Sequence, residues 1–175
     1  MTSQDLGAVS RLPDGTPFRL RAVVGTDRQV LQDMYIALSQ VSRHGRFLAA
    51  PPRLSELTLD HLVDAVDQKD HIAVLLLAPA GHPDEAPVGV GRMIRYAGEP
   101  STADIALAVA DEWQGRGVGS ALARALVAHR PRGVTRLVTL VAADNKASVA
   151  TLARLGTVEH VLTDGVYDIT VTLPT

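Results

Sequence analysis

Residues Ala103 to Ser120, ADIALAVADEWQGRGVGS, decide the fold, and the rest of the chain is arranged around them. An apolar run of strand length ends in two acidic residues, and a glycine-rich turn follows. Apolar residues then recur at helical spacing from Val118 to His129. The first amides of a helix have no partner inside it, and the aligned peptide dipoles place partial positive charge there. A strand, a glycine-rich turn and a helix in this order are therefore typical of a phosphate site.

Two common phosphate motifs fail in this stretch. The dinucleotide fingerprint Gly-x-Gly-x-x-Gly fails because Ser120 stands where the third glycine is required. The P-loop fails because no lysine lies near the turn. What remains is Gln114-x-x-Gly117-x-Gly119 at the start of a helix. The alternative is a helix that begins with small residues and binds no ligand.

Composition favours one domain. With 175 residues, 46% hydrophobic content and a mean hydropathy of +0.12, the chain is long enough to bury a core. The net charge of −2 argues against a nucleic-acid surface, and the lack of cysteine excludes disulfides and a thiolate nucleophile. The longest apolar run, Ile72 to Ala80, is too short to span a membrane, and no export signal is visible. We expect a cytoplasmic protein, and fifteen arginines against two lysines indicate a GC-rich bacterial source.

The rest of the chain predicts strands and helices in an α/β arrangement. Residues 1–16 are interpreted as an irregular N-terminal leader, because Pro13-Asp14-Gly15 is a turn signal, and residues 17–175 as a single domain. The strands on either side of the central helix should be parallel neighbours with a right-handed crossover. Strands are predicted at 18–23, 72–78, 88–95, 103–110, 137–141, 158–162 and 166–173, helices at 28–38, 58–68, 121–129 and 146–155, and loops at 39–53 and 96–102.

These segments resemble the GNAT superfamily of N-acetyltransferases. The resemblance covers roughly residues 17–173 and is most specific at the Gln114-x-x-Gly117-x-Gly119 turn, at Val88-Gly89-Val90-Gly91-Arg92, and at Asn145-x-x-Ser148 with Leu155-Gly156. Within the superfamily the pattern is most similar to bacterial protein-lysine acetyltransferases of the Pat type. It implies an α/β GNAT fold: a mixed, mostly antiparallel sheet of about six to seven strands with a central splayed parallel pair, flanked by about four helices.

The resemblance also implies acetyl-CoA as the cofactor. In the family, the central strands splay at a bulge, and the resulting wedge takes the pantetheine arm. The main chain of Val109, flanked by Ala108 and Ala110, is expected to bond this arm, and Asn145 and Ser148 to contact the cofactor. The alternative is that the small residues only pack. Asn145 is also expected to cap the helix at 146–155, and this capping role alone is the alternative to a cofactor contact. The diphosphate is expected to lie mainly on backbone N–H groups of Gln114, Gly115, Arg116, Gly117, Val118, Gly119 and Ser120, with a solvated Arg116 side chain as the alternative to a charge contact.

Acetyl transfer to an amine needs a general base, because a lysine amine is protonated at neutral pH. The resemblance gives this role to Asp104, ten residues before Gln114, where Pat-like enzymes have the longer Glu; an exposed strand residue is the alternative. The N–H of Val109 is the expected oxyanion donor. Asp111 and Glu112 are reserve candidates for the base.

The general acid has no assigned residue. Many family members use a tyrosine seven residues after the capping Asn, but Leu152 occupies that position here. Tyr167 is nearest in type, although core packing suits it better. The predicted activity is direct acetyl transfer to a primary amine, either a protein lysine or a small molecule, in a ternary complex. The alternative is a catalytically weak or inactive acyl-CoA-binding sensor or interaction module, which the Leu152 and Asp104 departures keep open.

The acceptor site is expected in the loops at 39–57 and 96–101, because loops on a fixed scaffold carry specificity. Arg43, Arg46 and Arg53 are candidates to pair with a carboxylate of the acceptor, with solvated loop arginines as the alternative. The six histidines have no spacing typical of a metal site. The expected partners therefore include neither metal, nucleic acid nor membrane, and both a monomer and a homodimer fit the pattern.

Overall fold

A mixed sheet of eight strands forms the centre of the computed structural model, which describes residues 5–47 and 51–174, with only the backbone for residues 45–47. The strand order is β1-β2-β3-β4-β5-β6-β8-β7. The strands are β1 (Ser10–Arg11), β2 (Pro17–Ala22), β3 (His71–Ala78), β4 (Ala86–Tyr96), β5 (Glu99–Val109), β6 (Arg136–Ala142), β7 (Thr157–Thr163) and β8 (Val166–Thr172). The helices are α1 (Arg28–Ala37), α2 (Gln40–Phe47), α3 (Glu56–Leu59), α4 (Val118–Ala128) and α5 (Lys146–Leu152).

The predicted GNAT fold is confirmed, including its one parallel pair. β5 and β6 run parallel and are joined by α4, whereas the other neighbouring strands pair antiparallel. The alternation in Val88-Gly89-Val90-Gly91 sets the position of α4. A Cβ on Gly89 would lie 2.8 Å from Val118 Cγ1, and one on Gly91 would lie 2.9 Å from Leu126 Cδ1. Glycine at both positions lets α4 lie directly against β4.

Two apolar clusters cover the two faces of the sheet. All eight residues of β3 are buried, and its seven apolar residues alternate between the clusters: Leu76 packs on the α4 side and Leu75 on the side of α1 and α3. Burial of each such leucine stabilises the fold by about 1.5–3 kcal/mol. The aliphatic core therefore holds the sheet between helices on both faces over its central strands.

Three elements differ from the sequence prediction on the N-terminal side. Residues 10–11 of the predicted irregular leader form β1, which pairs with β2 and brings the number of strands to eight. The predicted loop at 39–53 contains α2. Its first turn is capped by Asp111, which accepts hydrogen bonds from Ser39 N at 2.7 Å and Ser42 Oγ at 2.6 Å. Because this cap lies about 70 positions away, local sequence patterns do not reveal it.

The boundaries of two further elements also differ from the sequence prediction. The helix predicted at 58–68 begins at Glu56, and its π-helical part ends at Asp64. It ends early because Asp67 accepts hydrogen bonds from three following amides, which turns the chain into β3. The predicted loop at 96–102 is a tight hairpin in which Tyr96 already pairs with Glu99. No helix in the described part of the chain is long and apolar enough to cross a membrane.

Candidate active site

The parallel strands β5 and β6 separate soon after they meet. β6 pairs only with residues 102–104 of the 11-residue strand β5. On the opposite edge, Ala110 N donates to Val88 O of β4 at 2.9 Å. Alternate residues of a strand turn their amides to opposite edges, so Leu107 and Val109 direct their N–H groups toward β6. The register pairs neither residue with β6, and a wedge with backbone donors therefore opens between the strands.

This wedge forms without the predicted bulge. The register between β4 and β5 runs unshifted from Ile94 opposite Asp104 to Gly89 opposite Val109. Beyond Asp104, β6 leaves β5 and stays paired with β8 along its whole length. Leu107 is not among the predicted site residues, although strand alternation from Val109 identifies it.

The glycine-rich turn ends the wedge at the start of α4. Gly117 is the N-cap, with a left-handed φ of 92°, and Gly115 has a φ of 73°. The first hydrogen bond of α4 runs from Ala121 N to Gly117 O at 3.0 Å, so residues 118–120 have no acceptor within the helix. A Cβ on Gly119 would lie 3.9 Å from both Thr151 Oγ1 and Val109 Cγ2, which are ordinary van der Waals distances, so a side chain is sterically tolerated at this position.

The side chain of Arg116 points toward the N-terminal segment. It forms an ion pair with Asp14 at 2.8 Å, donates to Thr16 Oγ1 at 3.0 Å, and lies 4.0 Å from the centre of the Trp113 ring. Hydrogen bonds from Thr16 and Arg116 lower the pKa of Asp14 to about 2. The positive charge of Arg116 is therefore paired within the protein, and its backbone N–H is the group that the turn presents.

Polar contacts dock α2 onto the end of β5. Gln114 Nε2 donates to Ser42 Oγ at 3.0 Å and to Val109 O at 3.2 Å. Burial raises the pKa of Asp111, but hydrogen bonds from Ser42 and Ser39 outweigh this effect and lower the pKa below its usual value. The oxygens of Asp111 are thus committed to α2, which makes this carboxylate a poor reserve base.

The helix α5 follows β6 and lies beside the first turn of α4. Asn145 caps this helix, and its side chain accepts a hydrogen bond from Ser148 N at 3.1 Å. Arg154, beyond the end of α5, donates to Ser120 Oγ at 3.4 Å and links this helix to the first turn of α4. The capping role is therefore observed, and the cofactor contacts of Asn145 and Ser148 remain predictions.

Asp104 lies where the wedge begins. It is half-buried, pairs with Ile94 of β4, and is the last β5 residue opposite β6. Burial raises the pKa of Tyr96, and the carboxylates of Asp104, Asp168 and Glu99 raise it further. Asp104 lies three residues before Leu107, about 10 Å along the strand, and five before Val109, about 17 Å. Its role as a base remains a prediction.

No proton donor stands at the position of the family's tyrosine. Leu152 is 4% exposed and packs in the core beside α4. Tyr167 is half-buried and packs edge-on against His160, with 4.9 Å between ring centres. Tyr167 therefore has the packing role that the sequence favoured.

Arg43, one of the arginines predicted to pair with an acceptor carboxylate, makes its observed contacts within the protein. Its guanidinium donates to Leu38 O at 2.9 Å and to Ile36 O at 3.0 Å, and it lies over the ring of Tyr35. Arg53 is exposed, and the side chain of Arg46 lies outside the described residues. Among the described residues, no group of three or more His, Asp or Glu side chains could hold a metal ion.

Comparisons with known proteins agree with this geometry. The sequence profile of the Acetyltransferase (GNAT) family matches residues 43–157. Acetyltransferase PA5475 of Pseudomonas aeruginosa is 31% identical over 140 residues, which cover 79% of this chain and 74% of that protein. The crystal structure of the GNAT domain of S. lividans PAT superposes with a TM-score of 0.82 at 28% identity, over 95% of this chain and 96% of that one.

A larger relative shares the same unit. The cAMP-binding acyltransferase from Mycobacterium smegmatis superposes with a TM-score of 0.65 at 25% identity, over 98% of this chain but 48% of that one. The present chain thus spans about half the length of that protein. The family profile and the relatives confirm the resemblance seen in the sequence, and acetyl-CoA is the cofactor of the family. The chain belongs to the GNAT acetyltransferase family.

Proposed function

We propose that this protein is an acetyl-CoA-dependent N-acetyltransferase that transfers the acetyl group directly to a primary amine in a ternary complex. The observation that carries the proposal is the wedge between β5 and β6, which is lined by backbone donors of β5 and ends at the free amides of α4. The pantetheine arm of CoA, which carries amide groups and ends at a diphosphate, matches the shape and the hydrogen-bonding groups of this wedge.

The residues present fit such a cofactor. The backbone of Val109 is placed to bond the amide groups of a pantetheine arm, since its N–H points into the wedge. Residues 117–120 are placed to hold the diphosphate, because free helix amides and the dipole both favour an anion.

When bound, acetyl-CoA supplies an activated acyl thioester. An N–H in the wedge would hold the thioester carbonyl oxygen, and such preorganised donors are worth about 2.7–4 kcal/mol in known sites. Asp104 would accept a proton from the incoming amine, directly or through water, which typically contributes about 10²–10⁴-fold to the rate. Asp is one methylene shorter than the family's Glu, so we favour the route through water.

The proposal is tested by calorimetric titration with acetyl-CoA, followed by acetylation assays on a panel of small amines and lysine peptides. Saturable binding with transfer to an amine is the expected result. Binding without transfer to any acceptor would instead favour the sensor or interaction module, which the buried Leu152 in the tyrosine position supports. The absence of saturable binding would refute both readings.

A further inference from the structure

A cavity of about 430 Å³ lies between α1 and the sheet, on the face of β4 and β5 opposite α4. A volume of this order is typical of small-molecule sites. Its walls come from α1, from the segment before α3, and from the facing residues of β4. They include the side chains of Leu31, Met34, Leu38, Leu54, Val88 and Val90.

The inside of the cavity is apolar. The lining residues His82, Asp84 and Glu112 are all exposed and stand at the mouth of the cavity. The hydroxyl of Tyr35, which also lines the cavity, donates to Pro51 O at 2.6 Å. A polar ligand group placed among these described lining residues would lose its water and meet mainly apolar side chains, so a hydrocarbon group is the matching occupant.

The cavity continues to the proposed reaction site. Ala108 and Ala110 line it, and they flank Val109, whose N–H lies in the wedge. Asp104 and Ala106 share this face of β5 by strand alternation. Ala108 and Ala110 present only methyl side chains to the cavity. An acyl group whose carbonyl oxygen bonds the Leu107 N–H would begin beside Ala108, which lines the cavity, and this leaves the Val109 N–H to the pantetheine arm.

We propose that this cavity receives the hydrocarbon tail of an acyl donor longer than acetyl, so that the enzyme transfers medium-chain acyl groups from acyl-CoA. This inference rests on the proposed N-acyl transfer. The step is unchanged: the amine nitrogen bonds to the acyl carbon, and the thioester C–S bond breaks. One amine proton passes to the base, and the thiolate sulfur takes up a proton from solvent.

The test compares calorimetric affinities for acetyl-, butyryl- and hexanoyl-CoA in the absence of an acceptor, with transfer rates as a second readout. Each methylene that enters an apolar site tightens binding by about fourfold. Hexanoyl-CoA carries four more methylenes than acetyl-CoA, and we expect it to bind at least about tenfold more tightly after losses from ordering the chain. Equal affinities across the series would overturn the inference.

Two variants fill the cavity from opposite walls: Val90→Phe from β4 and Met34→Trp from α1. Each should abolish the chain-length gain and leave the affinity for acetyl-CoA within about twofold, because neither residue faces the wedge. Val161→Phe, at a side chain that is 66% exposed on β7, is the matched control and should retain the gain. A gain that persists in both filled variants would contradict the assignment.

The outcomes also separate this inference from the proposed function. Acetyl transfer without tighter binding of longer acyl-CoA would refute the inference about chain length and leave the proposed function standing. Failure to bind or transfer any acyl group would remove both.

Discussion

A negative charge at Gly119 should separate cofactor binding from folding. Gly119 is the second residue of α4, and an added Cβ would meet only Thr151 Oγ1 and Val109 Cγ2, both at 3.9 Å. Glu at this position gains helix propensity over Gly and interacts favourably with the helix dipole, together about 1 kcal/mol. For a chain of this length, that corresponds to a rise of about 2–4 °C in Tm.

The same carboxylate should repel the diphosphate. Two phosphate charges about 6 Å from it cost about 1.4 kcal/mol at the dielectric constant of water and about 5.5 kcal/mol at an effective value of 20. The affinity for CoA should therefore fall between about tenfold and 10⁴-fold. Gly119→Gln has nearly the same shape without the charge, and Gly119→Ala adds only the methyl group that the structure accommodates.

The assay is calorimetric titration with CoA, together with thermal unfolding of each free variant. We expect Gly119→Glu to bind at least about tenfold more weakly than Gly119→Gln, with a difference that shrinks at high salt because the charges are screened. Equal affinities of the Glu and Gln variants would refute the placement of the diphosphate.

Three further predictions concern chemistry and stability. Asp104→Asn should lower kcat by about 10²-fold or more and leave CoA affinity nearly unchanged, measured by steady-state kinetics and calorimetry. Burial, with Arg92 and His61 nearby, lowers the pKa of His71 to about 4. As the pH falls, the unfolded chain therefore takes up a proton at this histidine before the folded protein does. The free energy of unfolding should decrease by about 3 kcal/mol between pH 6.5 and pH 4. Denaturant titrations at several pH values should show this decrease in the wild type and a smaller one in His71→Gln. Asp27 is 4% exposed and accepts hydrogen bonds from Nη1 and Nη2 of Arg21. Asp27→Asn should therefore lower the free energy of unfolding, measured in urea, by about 3 kcal/mol. The control Asp64→Asn should lower it by less than about 1 kcal/mol.

Much of the architecture was predictable because its signals are local. The buried run of β3, the glycine alternation of β4 and the turn into α4 each have a composition that few other structures accommodate. The helix α2 was not predictable in this way, since its cap is the distant Asp111. Strand β1 was missed because two residues carry no periodicity, and their pairing with β2 decides their conformation.

The candidate site was predictable in part. The positions of Gly115 and Gly117, with left-handed φ angles, follow from the motif, as does the cap at Asn145. The direction of Arg116 depends on an ion pair with Asp14, about 100 positions away, and the sequence does not reveal it. The point at which β6 leaves β5 is likewise set by contacts between segments far apart in the chain, and local sequence patterns do not reveal it.

The central claim is that the cofactor lies in the wedge between β5 and β6 with its diphosphate on the start of α4. The most direct test is a crystal structure of the protein with acetyl-CoA. We predict diphosphate oxygens within about 3 Å of backbone nitrogens in residues 117–120, and a pantetheine amide bonded to the main chain of Val109. A diphosphate bound elsewhere, or a wedge closed by β6, would contradict the account.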